Sequence, residues 1–338
     1  MAGLDLRALD VPVIVAPMAG GPTTPELAAA GTNAGGLGFL AAGYLSAETL
    51  AERITAARAL TSGPLGVNLF VVRSSAALPY AIHRYAQALE SESARYDAHL
   101  GEPRYDDDQW SAKLEVVMDL KPEVVSFTFG LPDAAECARL RGADITTVGT
   151  ITTLAEAELA VAVGVDAVAA QGPAAGGHRG TLDPSATPPT QPLSQLLRAT
   201  TVRLDVPVIA AGGLMTAVDV ADVLASGAVA ASLGTAFLLA DEAGSSPVHR
   251  AALQDPQFTE TVVTRSFSGR YARGLRNRFI DEHDAEAPFG YPEIHYLTSP
   301  LRAAAVRAGD PHGTNVWAGT GYRQAKAASV AKIMSGLA

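Results

Sequence analysis

Eight short apolar runs, each followed by alanine-rich text, constrain this chain more than anything else in it. They extend from Val11 to Ala16, Leu37 to Ala41, Leu65 to Phe70, Val124 to Phe129, Ile145 to Val148, Val165 to Ala169, Val206 to Ala210 and Val229 to Leu233. Strands that alternate with helices pair in parallel through βαβ units, and a parallel strand buried on both faces reads as a continuous apolar run. Eight such units are the number that closes a (β/α)8 TIM barrel, so the expected fold class is α/β with that architecture. The helix punctuation agrees with the count. Thr24 stands before Pro25 as an N-cap ahead of a proline at N1, and Ser46, Thr152 and Thr216 each stand where an alanine-rich helix should open. Gly164 and Gly227 fall where helices should stop, just before the sixth and eighth strands.

Two stretches exceed a minimal barrel. Between the third and fourth runs lies more chain than one crossover helix needs, so an insertion with an extra helix or two is expected at about 75–120. Residues 241–338 follow the eighth strand and contain an Arg-rich segment from Ser268 to Phe279 together with Tyr, His and Trp residues. They read as a cap over the mouth of a barrel spanning 1–240. Leu182 to Pro192 is a proline-rich loop.

Composition narrows the function classes. Apolar residues make up 48% and charged residues 18%, enough for a fully buried sheet. The formal charge is −10 and the 25 basic residues never gather into a run, which argues against nucleic acid as a partner. Cys137 is the single cysteine, so there is no internal disulfide and no CxxC motif; it is expected on a buried helix face in a reducing cytosol. The charged N-terminus and the lack of a long apolar window give no sign of export or of a membrane span, so the expected location is the cytoplasm. The sequence leaves the oligomeric state open.

Barrel enzymes do their chemistry at the C-terminal ends of the strands. The sixth strand runs into Ala170 to Gly180, AQGPAAGGHRG, which presents His178 among four glycines and places an imidazole for proton chemistry. The seventh strand ends in Ala211, Gly212 and Gly213, and the eighth in Ser232, Leu233, Gly234 and Thr235. Glycine clusters in both of these loops point to backbone N–H groups around a phosphate. Asn68 and Gln171 are amides where a parallel strand is normally apolar. With a phosphate site across the mouth they favour a ribityl-phosphate flavin, although each amide could equally cap local backbone.

Absences discriminate further. None of the four lysines, Lys113, Lys121, Lys326 and Lys332, ends a strand, which argues against a Schiff-base aldolase. The seven histidines form no HxH or HExxH pattern and acids are scarce at the strand ends, so no metal site is expected. Such a barrel needs a cofactor to supply reactivity. A cofactor-free phosphosugar isomerase or lyase, and a non-catalytic flavin binder, remain as alternatives.

The text PVIVAPMAGGPTTPELAAAGTNAGGLGFL, GVNLF, SFTFGLP, AQGPAAGGHRG and PVIAAGGLMTAVDVADVLASGAVAASLGTAFL resembles, in that order, the nitronate monooxygenase family, formerly called 2-nitropropane dioxygenases, and its class I members in particular. The resemblance covers nearly the whole chain. It implies an FMN-dependent TIM barrel that oxidises alkyl nitronates with molecular oxygen to carbonyl compounds and nitrite. It further implies FMN contacts at Met18, Asn68, Gln171, Gly176, Gly213 and Ser232 to Thr235, and His178 as the catalytic base. Tyrosines of the C-terminal segment line the pocket in class I members, which points here to Tyr291, His295 and Tyr296. Similar proteins also include NAD(P)H:quinone reductases and flavin-dependent enoyl-thioester reductases, so the electron donor stays open.

Overall fold

The computed structural model describes residues 3–337. Its eleven strands are β1 (Val13–Val15), β2 (Leu37–Ala41), β3 (Leu65–Phe70), β4 (Val124–Thr128), β5 (Thr146–Ile151), β6 (Ala167–Gln171), β7 (Gly177–His178), β8 (Val208–Ala211), β9 (Ala230–Leu233), β10 (Thr261–Thr264) and β11 (Ala272–Leu275). Eight of them close a barrel in the order β1-β2-β3-β4-β5-β6-β8-β9, every pair parallel. The barrel expected from the apolar runs is therefore present. The first run forms a shorter strand than expected, and the fifth strand is displaced toward Ile151. Ile14, Leu37, Phe39, Val124, Val148, Ala167, Ile209 and Ala230 fill the barrel interior, with Leu6 of a short 3-10 turn (Leu6–Ala8) packed among them.

The helix caps follow local side-chain chemistry. Thr24, Ser46 and Thr216 each accept a backbone N–H of the helix they open. At the fourth such position the cap is Thr153 rather than Thr152: Thr153 forms a capping box with Glu156, while Thr152 bonds the same carboxylate through its own N–H and hydroxyl. Gly164 ends that helix at φ +96°, a left-handed conformation that a Cβ would strain. Cys137 is buried on helix Ala134–Gly142.

Between β3 and β4 the chain forms helices Pro79–Ala88, Glu90–Tyr96 and Trp110–Leu120. The last is the ordinary crossover helix: Trp110, Leu114 and Val117 pack in one core with Leu50, Ile54 and Ala57 of helix Ala47–Leu60. The first two belong to the cap, where Ile82, Tyr85 and Leu89 share a core with Phe267, Phe279, Ile294, Leu297 and Leu301. Glu92, fully buried, is clamped by both terminal nitrogens of Arg278. The cap is thus built from two separate stretches of sequence. The chain then returns to the barrel wall, where Val330, Ile333 and Met334 of helix Val330–Ser335 join the core of Val13, Val15 and Leu27. That helix takes the flank left open after β9. No helix among the described residues is long and apolar enough to cross a membrane.

Candidate active site

A cavity of about 690 Å³ occupies the C-terminal end of the barrel beneath the cap. Met18, Asn68, Gln171, Gly176, Gly212, Gly213, Ser232, Leu233, Gly234 and Thr235 all line it, and so does His178. The loops after the strands bring these residues together because parallel strands deliver every C-terminal end to one rim. Arg302, Arg307, His178, His249 and His295 supply the basic groups of the wall, which among the described residues contains no Asp or Glu.

One corner of the cavity is almost entirely backbone. Gly212 and Gly213 turn at φ +104° and +81°, Thr235 Oγ accepts the Gly319 N–H at 2.9 Å, and Gly176 lies so close to Gly319 that a Cβ there would collide with its nitrogen. Close approach of three chain segments explains why only small residues stand there.

The two amides behave differently. Asn68 Nδ2 donates to Ser126 O, Ser126 Oγ and Thr128 Oγ at 3.2, 2.9 and 3.0 Å, which fixes the side chain across β3 and β4. Gln171 donates from Nε2 to His178 O at 3.1 Å and accepts the Gly180 N–H at 2.9 Å, so both ends of its amide hold the histidine loop. The sequence placed His178 in a glycine-rich loop after the sixth strand. In the structure it sits on β7, whose pairing with β11 (His178 opposite Ala272) anchors the loop to the cap.

His178 is enclosed by the rings of Phe129, Tyr291 and Trp317, with centroids 5.5, 5.7 and 5.6 Å away. Its Nε2 is 2.8 Å from Ser268 Oγ, and Ser268 Oγ donates to the Arg270 carbonyl at 3.2 Å. A serine has one proton to give, so the arrangement that satisfies both contacts has Nε2–H donating to Ser268 and leaves Nδ1 bare. Burial, with Arg270 and Arg302 adding repulsion, holds the imidazole down at about 3, so it is a neutral acceptor.

Arg270 is buried with its guanidinium 4.2 Å from the Phe129 ring and hydrogen-bonded to Thr181 O. Arg302 donates to Thr298 Oγ, Asn315 Oδ1 and the His295 carbonyl, at 3.1, 3.0 and 2.9 Å. All of these acceptors are neutral. Burial lowers both guanidinium groups to about 10, and each remains a cation. With no carboxylate hydrogen-bonded to either, their charge gives the cavity a positive field suited to an anion.

The three cap residues expected to face substrate separate. His295 lines the cavity. Tyr291 is buried beside His178, its hydroxyl 3.3 Å from that of Tyr44, and forms backing for the wall. Tyr296 does not line the cavity: its hydroxyl donates to Asp106 at 2.6 Å and Arg104 lies over its ring, because one helical step carries a side chain off the cavity-facing row. Sequence reasoning missed Tyr44, Ser268, Arg270, Arg302 and Trp317. Arg270 lay within the Arg-rich segment already noted, the one signal available for it.

The nitronate monooxygenase family profile matches residues 6–338. Proteins from Staphylococcus aureus named probable nitronate monooxygenase are 36% identical, the match covering 98% of this chain and 95% of theirs. The crystal structure of nitroalkane oxidase from Streptomyces ansochromogenes superposes with a TM-score of 0.94 at 46% identity, over 97% of this chain and 95% of that one. A FabK mutant from Thermotoga maritima is more distant, with a TM-score of 0.73 at 26% identity over 98% and 92% of the two chains.

Proposed function

The chain belongs to the nitronate monooxygenase family, and from that membership we propose that it binds FMN and oxidises alkyl nitronates with molecular oxygen to carbonyl compounds and nitrite. The observation that carries the reading is the cavity wall: histidines and arginines, no carboxylate, and a neutral imidazole with a bare nitrogen. Such a wall attracts an anionic nitronate and can also make one from a neutral nitroalkane.

The residues fit FMN. A Cβ added to Gly177, at φ +71° on the cavity wall, meets nothing within 4 Å, so a side chain there would take up ligand space. Gly176, Gly213, Gly234 and Thr235 form the backbone corner suited to the phosphate, and Met18, Asn68 and Gln171 would flank the ring system. Bound FMN supplies the electron acceptor and the route to oxygen.

The protein's part is placement and charge control. With a nitroalkane, His178 Nδ1 takes the proton from the carbon bearing the nitro group, leaving a nitronate anion beside an imidazolium. The charges of Arg270 and Arg302, which oppose protonation of His178, are offset once that anion is present. A substrate supplied as the nitronate skips this step and needs only to be held. The Phe129, Tyr291 and Trp317 rings exclude water around the imidazole.

The purified protein should show flavin bands and consume oxygen when given ethyl nitronate, with little response to NADH. Bleaching by NADH or NADPH without oxygen, together with inert nitronates, would reassign it to the flavin-dependent reductases on the same barrel. A colourless protein that binds phosphate esters would favour the isomerase or lyase reading.

A further inference from the structure

The cavity contains a second imidazole whose protonation the structure also fixes. His295 and Arg302 lie seven residues apart on helix Glu293–Arg307, two turns along one face, and both reach the cavity. Arg302 Nη2 lies 3.2 Å from His295 Nδ1 and also donates to the His295 carbonyl. A guanidinium can only donate, so Nδ1 is the acceptor and a neutral ring must carry its proton on Nε2. The ring plane is equally constrained. Tyr44 stacks on it at 4.1 Å and an interplanar angle of 1°, and Tyr296 meets it edge-on at 5.4 Å. Tyr44 is itself anchored by its N–H to Asp108, which Lys113 neutralises at 2.7 Å. Among the described residues no acceptor takes the Nε2–H.

We propose that Arg302 locks His295 as an Nε2–H donor to an oxygen of the substrate's nitro or nitronate group, so that the cavity holds two imidazoles of opposite polarity: His178 accepts and His295 donates. This inference rests on the reading of the site as a nitronate site. Burial, with Arg302, His178 and Arg104 nearby, holds His295 well below the ordinary imidazole range, which keeps it neutral. Arg302 is then a positioning residue. It acts through His295, and its spare charge adds to the field. The Tyr291 ring lies near both imidazoles, with centroids 5.7 Å from His178 and 6.5 Å from His295.

The test has two readouts. In protein labelled with 15N-histidine, the two-bond 15N–1H correlation pattern reports the tautomer, and the His295→Phe variant identifies the resonance by its loss. The expected pattern is a protonated Nε2 and a bare Nδ1, with the preference lost in Arg302→Met; a proton on Nδ1 in the unmodified protein overturns the proposal. With ethyl nitronate and oxygen uptake, His295→Phe keeps the stacked ring and loses the donor. KM should rise roughly tenfold, the loss of one hydrogen bond to a charged group, while kcat changes less. His295→Gln, which retains an N–H, should recover part of the loss. An unchanged KM in His295→Phe overturns the donor role while leaving the enzyme's activity intact. Failure of the unmodified enzyme to turn over any nitronate overturns the functional reading, and the substrate contact with it.

Discussion

Ser268 Oγ stands 2.8 Å from His178 Nε2 and spends its own proton on the Arg270 carbonyl. One bond accepted and one donated by a single hydroxyl therefore decide which nitrogen of the imidazole is basic. Replacing Ser268 with Ala leaves a ring N–H without its acceptor in a buried site, a cost of about 1–3 kcal/mol. We expect a lower melting temperature and a drop in kcat with nitroethane larger than that with ethyl nitronate. Equal losses on the two substrates would mean that Ser268 has only a packing role.

His178→Asn separates proton removal from the later steps. Turnover of neutral nitroethane should fall by roughly 10²–10⁴-fold, the range for a lost general base. Preformed ethyl nitronate should suffer much less. Oxygen uptake with each substrate at one pH provides the comparison, and flavin absorbance checks that the variant is loaded.

Gly213→Ala tests the backbone corner. The residue sits at φ +81°, and an added Cβ would stand 2.7 Å from that of Ala174. FMN affinity should weaken roughly tenfold or more, about 1.4 kcal/mol. Fluorescence titration of apoprotein with FMN measures this directly; unaltered affinity would remove the phosphate from this corner.

His249 makes the pH dependence of stability testable. Burial holds its imidazole down to about 4 against the opposing influence of the Trp317 carbonyl, whereas an unfolded chain protonates near the ordinary value of about 6.5. Between those values the unfolded state binds more protons, so its stabilising contribution is present above about pH 6.5 and is lost as the pH falls toward 4. His249→Gln should flatten the acid side of a melting-temperature curve taken between pH 7 and 5. A parallel curve would show that other groups govern acid loss.

Much of the barrel could be read from sequence because its signals are local. A parallel strand buried on both faces announces itself within six residues, as Leu65–Phe70 does, and a cap such as Thr24 with Pro25 needs only its neighbours. The cavity-lining glycines were legible for a related reason: every strand end faces one rim, so a fold assignment also locates the site. What escaped was set by partners distant in sequence. β7 is two residues long and exists only because β11 pairs with it, so it has no periodicity to detect. Ser268 matters because it meets a ring ninety positions away. Tyr296 stands off the cavity wall because it adjoins His295 on a helix, where neighbouring side chains point about 100° apart.

Helix Val330–Ser335 seals a flank of β1, yet the ribosome makes it long after β9. During synthesis the barrel strands are all available while one wall of their core is still missing, and the cap must be laid down before that wall arrives. The last helix therefore completes the outer packing of the barrel after every residue that lines the cavity has already been made.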